Sequence, residues 1–234
     1  MEFVSRLEEI NKTYKEAAVP ESTINILSSD EKTGIQALCH VHTQKAKPGR
    51  IERKDPEYVR NGTSSLIAAL NVKTGQIQNY SLGGTRKEED YLEHVKEIVA
   101  VNPTGDHIII CDQLNIHKSE SLVKWVARQI GFEEDLGVKR KYGILKSQKS
   151  RMSFLENKKH RIRFLYTPKH CSWMNQIENW FGKLQKHVIS RGEFDSVKKL
   201  ENKIDNYISY YNLYSAKPCK WKFTGDKYRR LIMV

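Results

Sequence analysis

Short apolar stretches bounded by turn residues dominate the hydrophobic and polar pattern of this chain. One β-branched stretch reaches Asp30, two more are joined by a turn at 73–75, and two later ones read DHIIICDQL and RIRFLYT. Stretches of this length and composition between Gly, Pro, Asn or Asp residues are typical of strands. The pattern therefore predicts five strands, of which the first closes at Asp30 and the fourth at Asp112.

Apolar residues at helical spacing fill the segments between the later strands. They recur at Tyr91, Val95 and Ile98, then behind a Ser cap in SESLVKWVARQI, and again after Pro168 and in a final segment. The order is three strands, helix, strand, helix, strand, helix. This order predicts an α/β protein with a mixed five-stranded sheet and helices on both faces, as in the RNase H-like fold.

Length and terminal sequence indicate one domain. A chain of 234 residues can bury a sizeable core. We expect that domain at 21–234, after an N-terminal linker or helix at 1–20 that is amphipathic and acidic. No apolar run resembles a signal peptide or approaches membrane-spanning length, so we expect a cytosolic protein, or a nuclear one in a eukaryote, without a membrane partner.

The charge balance changes this picture by indicating a class of partner. Lys and Arg number 40 against 28 Asp and Glu, which gives a net charge of +12. A surface of this sign favours a polyanion such as nucleic acid. The densest basic stretch lies at 139–163, where a solvated loop and a phosphate-binding surface are equally good interpretations.

The four cysteines do not indicate a disulfide-bonded or zinc-binding protein. All four are far apart and form no CxxC pair, which argues against a disulfide framework and a zinc ribbon. Cys39, His40 and His42 offer zinc ligands, but no second cluster with ligand spacing follows, so a plain strand and loop is the preferred interpretation.

Acidic residues at the ends of apolar strands are the candidate chemistry. Asp30 and Asp112 each close a predicted strand, and Glu178 lies on the helix after Pro168. An Asp in this position is often only a turn former or a helix cap. However, Asp112 directly follows HIIIC, and a desolvated carboxylate needs a positive partner, for which a divalent metal is common.

Five sequence blocks resemble those of the DDE transposases of bacterial insertion sequences, the group related to mariner elements. In chain order they are ILSSDEKTGIQAL, RNGTSSLIAALNVKTG, IIICDQLNIHKS, LYTPKHCSWMNQIENWFGKLQ and YISYYN. The resemblance covers about residues 20 to 224. It implies a catalytic triad of Asp30, Asp112 and Glu178, with Asn175 matching an Asn that the family places on the same helix. Because strand neighbours point to opposite faces, only one of Asp30 and Glu31 is expected to face the site, and the motif selects Asp30.

Two features depart from the family pattern. A basic insertion at about 133–160 lengthens the stretch between Asp112 and Glu178, and we expect it to form a loop. Relatives also begin with a helix-turn-helix region that recognises the transposon ends, for which the residues before the first strand leave no room here.

The resemblance implies a metal-dependent enzyme that acts on double-stranded DNA. Two Mg²⁺ or Mn²⁺ ions held by the three acids would assist hydrolysis at the transposon ends, and the freed 3′-hydroxyl would then attack target DNA. Joining two ends implies a homodimer, at least on DNA. A bacterial enzyme of this kind would be cytoplasmic and associated with the nucleoid.

Polar and basic residues near these blocks are the candidate DNA ligands. His117 and Lys118 follow Asp112 and are placed to contact the scissile phosphate, although an exposed His after a strand is more often simply solvated. The full set of expected DNA-binding residues is Asn115, His117, Lys118, Lys158, Lys159, Arg161 and Asn175.

Two other functions remain open at this point. A non-catalytic DNA-binding remnant of a transposase would keep the fold and the basic surface. An RNase H-type nuclease would share the metals but not the block after Pro168.

Overall fold

The computed structural model describes residues 2–19, 21–44, 46–51 and 53–224. Within them the strands are β1 Asn25–His40, β2 Thr43–Gln44, β3 Arg53–Lys54, β4 Tyr58–Asn71, β5 Ile77–Gly83, β6 His107–Cys111 and β7 Ile162–Tyr166. The helices are α1 Glu2–Ala17, α2 Glu88–Ala100, α3 Glu120–Gln129, α4 Gln148–Leu155, α5 Gln176–Leu184 and α6 Val197–Tyr210. Single 3-10 turns lie at Asn115–Lys118, Ile144–Lys146 and Ser172–Met174, and π-helical turns extend α5 and α6 to Ile189 and Ser215.

The main sheet is mixed, as predicted. Its strand order is β5-β4-β1-β6-β7. The pairs β1/β4 and β4/β5 are antiparallel, whereas β1/β6 and β6/β7 are parallel. The turn at 73–75 joins β4 to β5, and Ser119 caps α3 by accepting a hydrogen bond from the Leu122 amide. The strands that precede Asp112 and contain Asp30 are therefore neighbours.

Helices cover both faces of this sheet. One face packs against α2, α3 and α4 through residues that include Ile109, Phe164 and Val95. On the opposite face α5 and α6 pack against β1 and β4, and α1 packs beside them with Leu7, Ile10 and Tyr14 fully buried. The segment 1–20 thus contains a helix that belongs to the core.

Two predicted elements differ from the structure. β1 does not close at Asp30 but continues to His40, because β4 pairs with it along that whole length. The insertion at 133–160 is not only a loop, since it contains α4, whose Phe154 and Leu155 are buried against the sheet. Apolar residues within a basic segment thus give it a packed helix. None of the described helices combines the length and the apolar character needed to cross a membrane.

Candidate metal centre

Asp30 and Asp112 come together where β6 ends. The parallel pairing of β1 with β6 runs from Asn25 and His107 to Ser28 and Ile110. β6 stops at Cys111, so Asp112 directly follows its carboxyl end, and Asp30 lies on β1 just past the paired segment. The two carboxylates are close enough that the charge of Asp112 raises the pKa of Asp30.

Asp30 is a buried carboxyl group with a strongly perturbed pKa. Its side chain is 6% exposed; Oδ1 accepts a hydrogen bond from the Glu31 amide at 2.8 Å and Oδ2 one from Asn175 Nδ2 at 3.0 Å. Burial, and secondly repulsion by Asp112, raises the pKa of Asp30 to about 7. The site therefore favours either a proton or a cation at this position.

Asp112 occupies a different environment. Burial alone would raise its pKa, but the hydrogen bond from His117 and the charge of that ring lower the pKa below its usual range. Its Oδ1 lies 2.8 Å from His117 Nδ1 and also accepts the Leu114 amide at 2.8 Å. Asp112 is therefore ionised and oriented by the turn that follows β6.

Glu178 faces the same edge from α5. It lies in the first turn of that helix and is exposed. Partial desolvation raises the pKa of Glu178, the positive charge of Lys32 lowers it, and the negative charges of Asp112 and Glu31 raise it. The three predicted acids thus share one electrostatic environment.

Glu31 also reaches this site, although strand alternation predicts that it points away. Its side chain is only 2% exposed, and its Oε2 lies 3.0 Å from His117 Nε2. Ligand atoms of Asp30, Glu31 and His117 lie within 4.8 Å of one another. Since β6 ends beside Asp30, no strand separates the two faces of β1 on that side, and side chains from both faces can meet there. Strand alternation alone does not reveal where β6 ends, and that end decides whether Glu31 can reach the site.

Asn175 holds Asp30 in place by a hydrogen bond, and it is buried too deeply to make the expected contact with DNA. The side chain is fully buried and donates to Asp30 Oδ2 and to the Ser29 carbonyl, each at 3.0 Å. Its Oδ1 accepts a hydrogen bond from the Ser28 hydroxyl, which itself accepts the Ile177 amide at 2.8 Å. This network fixes the start of α5 against β1, and so fixes Glu178 relative to Asp30.

The other expected DNA ligands fall into two groups. Asn115 is exposed beside the site, whereas His117 is fully buried between carboxylates and cannot reach a phosphate. Lys118 is 7% exposed. Burial lowers the pKa of Lys118, and the attraction to Asp112 opposes that effect. The second group precedes β7, at the end of the sheet opposite the site. The length of β7 puts this group about 16 Å from the carboxyl edge of the sheet. Its members are Lys158, Lys159 and Arg161.

The donor set fits a hard divalent cation. Oxygen atoms of Asp30, Asp112 and Glu178 are the ligands that Mg²⁺ and Mn²⁺ prefer. The pKa values of Asp30 and Glu178 are raised first by burial and then by the nearby negative charge of Asp112, and a bound cation would oppose both effects. The residues at this edge are therefore suited to hold a metal.

The perturbed Asp30 leads to a pH-dependent stability. We expect the metal-free protein to lose stability relative to an Asp30→Asn variant as the pH rises from about 4 to about 7. The folded chain binds the Asp30 proton more tightly than the unfolded chain, where the pKa is 3.8, so the stabilisation present at low pH is lost through this window. Denaturant unfolding of both proteins in EDTA at several pH values checks this, and a constant difference between them would contradict it.

Comparison with known proteins then identifies the class. A family model described as DDE superfamily endonuclease matches residues 25–201, and one described as Integrase core domain matches residues 178–229. Because the first match spans most of the chain, this protein belongs to the DDE superfamily endonucleases. No curated protein matches its sequence.

Solved structures support the fold. The catalytic domain of Mos1 mariner transposase is 11% identical, with a TM-score of 0.50 over 88% of this chain and 78% of that one. The Mos1 mariner paired end complex with Mn is 12% identical, with a TM-score of 0.53, and a pre-cleavage Mos1 transpososome is 11% identical, also with a TM-score of 0.53. In both complexes the match covers 88% of this chain and 53% of the other, so the chain spans about half their length. The likeness confirms the RNase H-like fold.

Proposed function

We propose that this chain is the catalytic core of a transposase, which cuts transposon ends by metal-assisted hydrolysis and joins the freed 3′-hydroxyl to target DNA. The observation that carries the proposal is the position of Asp30 and Asp112 at one sheet edge of a DDE superfamily endonuclease, with Glu178 on α5 near enough for the charge of Asp112 to add to the effect of burial on its pKa. One such site serves both reactions, because only the attacking hydroxyl differs between them.

The protein's role in this chemistry is to position oxygen ligands. Asp30 on β1 and Asp112 just after the neighbouring strand β6 would hold two Mg²⁺ or Mn²⁺ ions, and Glu178 would complete the ligand set from α5. Such ions, when bound, neutralise charge on the phosphate and lower the pKa of the attacking water. Asn175 fixes Asp30 and the Leu114 amide fixes Asp112, so the ligands are held in place before DNA binds.

Double-stranded DNA is the proposed substrate, as both transposon end and target. The carboxylate edge adjoins a cleft of about 330 Å³ lined by Asp112, Pro168 and the exposed Lys169. Lys32 and Lys118 lie near Glu178 and Asp112, close enough to affect their pKa values. The exposed Lys169, with Lys32 near Glu178, would contact the phosphates that flank the scissile bond.

A lysine substitution tests where the DNA lies. We expect Lys169→Ala to weaken duplex binding and to flatten the slope of log affinity against log salt by about 0.9, because one phosphate contact is lost. Lys158→Ala is the matched control, since Lys158 is also exposed but lies at the other end of the sheet, 3.0 Å from Glu9. Binding is measured by fluorescence anisotropy at several salt concentrations. Weaker duplex binding in Lys158→Ala but not in Lys169→Ala would place the DNA at the end of the sheet opposite the carboxylates. So would a loss of affinity seen only when Lys158, Lys159 and Arg161 are replaced together.

The proposed reaction is tested with pre-nicked duplex DNA and a supercoiled plasmid in the presence of Mn²⁺. Hydrolysed duplex and duplex joined to plasmid are the expected products. Cutting confined to the RNA strand of an RNA–DNA hybrid would instead indicate an RNase H-type nuclease. DNA binding without any product would indicate a non-catalytic remnant.

The assembly is also a proposal. Cutting and joining two ends requires two active sites on paired DNA, so we expect a homodimer on DNA. Sedimentation of the chain with end-containing duplexes measures this, and monomers that hold paired ends would contradict it. In a bacterium, an enzyme with this substrate would act at the nucleoid.

A further inference from the structure

We infer that His117 and Glu31 are positioning residues, which hold Asp112 in its metal-binding orientation. The inference rests on the proposed metal centre. One ring nitrogen of His117 lies 2.8 Å from Asp112 Oδ1, and the other lies 3.0 Å from Glu31 Oε2. The imidazole thus connects a partly exposed carboxylate at the end of β6 to a buried one on β1.

The ring of His117 is held from several sides. Its side chain is fully buried, and the Tyr91 ring packs on it at a centroid distance of 4.3 Å. The Tyr166 hydroxyl donates to the His117 carbonyl at 2.6 Å, and Arg151 Nε donates to the Lys118 carbonyl at 2.8 Å. Because the ring and its backbone are both fixed, the orientation of His117 is transmitted to Asp112.

Charge pairing explains why Glu31 belongs to this arrangement. A carboxylate that is 2% exposed is costly without a positive partner, and Glu31 has His117 at 3.0 Å and Arg86 at 3.6 Å. Both ring nitrogens of His117 face carboxylate oxygens, and Nδ1 also lies 3.2 Å from the Asp112 carbonyl oxygen. Glu31 therefore contacts, from the opposite side, the same ring that orients Asp112.

Direct metal ligation by His117 is the competing explanation, since its atoms lie within 4.8 Å of ligand atoms of Asp30 and Glu31. A metal needs the lone pair of a neutral imidazole nitrogen. Both nitrogens here are engaged by carboxylates, at 2.8 Å and 3.0 Å. The geometry therefore assigns His117 to the support of a ligand.

Two substitutions at one position separate these roles. The Nδ2 of asparagine matches the position of His117 Nδ1, so His117→Asn keeps the donor to Asp112. The Nε2 of glutamine matches that of the distal ring nitrogen, so His117→Gln keeps only the donor to Glu31. Mn²⁺ affinity of the full chain without DNA is measured by electron paramagnetic resonance, and folding by thermal unfolding. We expect His117→Gln to bind Mn²⁺ about 10- to 100-fold more weakly and His117→Asn to stay within a few-fold of wild type.

Glu31 and a buried control complete the design. Glu31→Gln should weaken Mn²⁺ binding by a few-fold, no more than His117→Asn, because both variants disturb the contact between Glu31 and residue 117. Combining it with His117→Gln should add no further loss, because Glu31 acts on Asp112 only through the contact that His117→Gln already removes. His94→Gln is the matched control: this histidine is 1% exposed, also lies beside Tyr91, and has Ser29 and Asn79 as partners. It should leave Mn²⁺ affinity unchanged.

Three results would overturn the inference: equal losses in His117→Asn and His117→Gln, unchanged affinity in His117→Gln, or additive losses with Glu31→Gln. If His117→Gln fails to fold, His117→Asn and Glu31→Gln decide, because a loss of about 10-fold or more in the former, or no loss in the latter, contradicts the inference. A wild-type chain that binds no Mn²⁺ would instead remove the proposed metal centre itself.

Discussion

Replacing Asp112 by asparagine is expected to abolish DNA cleavage and leave DNA binding intact or stronger. The substitution keeps the size of the side chain but removes a ligand charge from the carboxylate edge, where Asp30 and Glu178 already repel it. Loss of charge stabilisation of this kind costs about 10²- to 10³-fold in rate, whereas reduced repulsion of phosphate favours binding. Cleavage with Mg²⁺ and duplex affinity are measured on the same preparation.

Two further variants make this result specific. Glu178→Gln should reproduce it, because Glu178 belongs to the same ligand set. Asp106→Asn is the matched control, since Asp106 is an exposed acid at the other end of the same strand. Cleavage at the wild-type rate by the Asp112 and Glu178 amide variants would reject the metal triad and favour the non-catalytic alternative.

The second large effect is expected at Asn175, where alanine should destabilise the folded chain by about 3 kcal/mol. Three buried groups lose a partner in this variant: the Ser28 hydroxyl, the Ser29 carbonyl and Asp30 Oδ2. Each orphaned group of this kind costs about 1–3 kcal/mol, and part of the loss is recovered by relaxation. In a chain of this size the melting temperature should fall by about 6–12 °C.

Asn179→Ala is the control for that experiment. Asn179 lies on the same helix but is exposed, and within the described part of the chain its side chain donates one weak hydrogen bond, to Gln176 at 3.3 Å. Its replacement should change the melting temperature by no more than about 2 °C. Similar shifts in both variants would mean that the buried network adds little to stability.

Much of the fold was accessible from the sequence because its elements are locally encoded. Short apolar strands and helical spacing predicted the mixed sheet, the turn at 73–75 and the Ser119 cap. The adjacency of Asp30 and Asp112 followed from the expected fold, and the structure places Asp30 on β1 and Asp112 directly after the neighbouring strand β6. Their catalytic role remains a prediction.

The features that were missed depend on contacts between distant residues. Whether Glu31 points into the site depends on where β6 ends, which alternation within β1 cannot reveal. The burial of His117 depends on Tyr91 and Tyr166, and that of Asn175 on the path of β1 beneath α5. Local sequence does not distinguish a solvent-facing polar group from a buried one. It therefore predicts His117 and Asn175 as DNA ligands, although both are buried.

The packing of α1 has a consequence for how this fold is inherited. Tyr14 bonds to the Met174 carbonyl at 2.8 Å and to the Gln176 amide at 3.3 Å, and it stacks on Trp221 at 4.4 Å. All of α1 lies outside both family matches, at 25–201 and 178–229. A segment cut at those limits would lose the helix that braces the start of α5 and, with it, the placement of Glu178. The unit that recombination can transfer intact between genes is therefore larger than the unit that sequence similarity recognises.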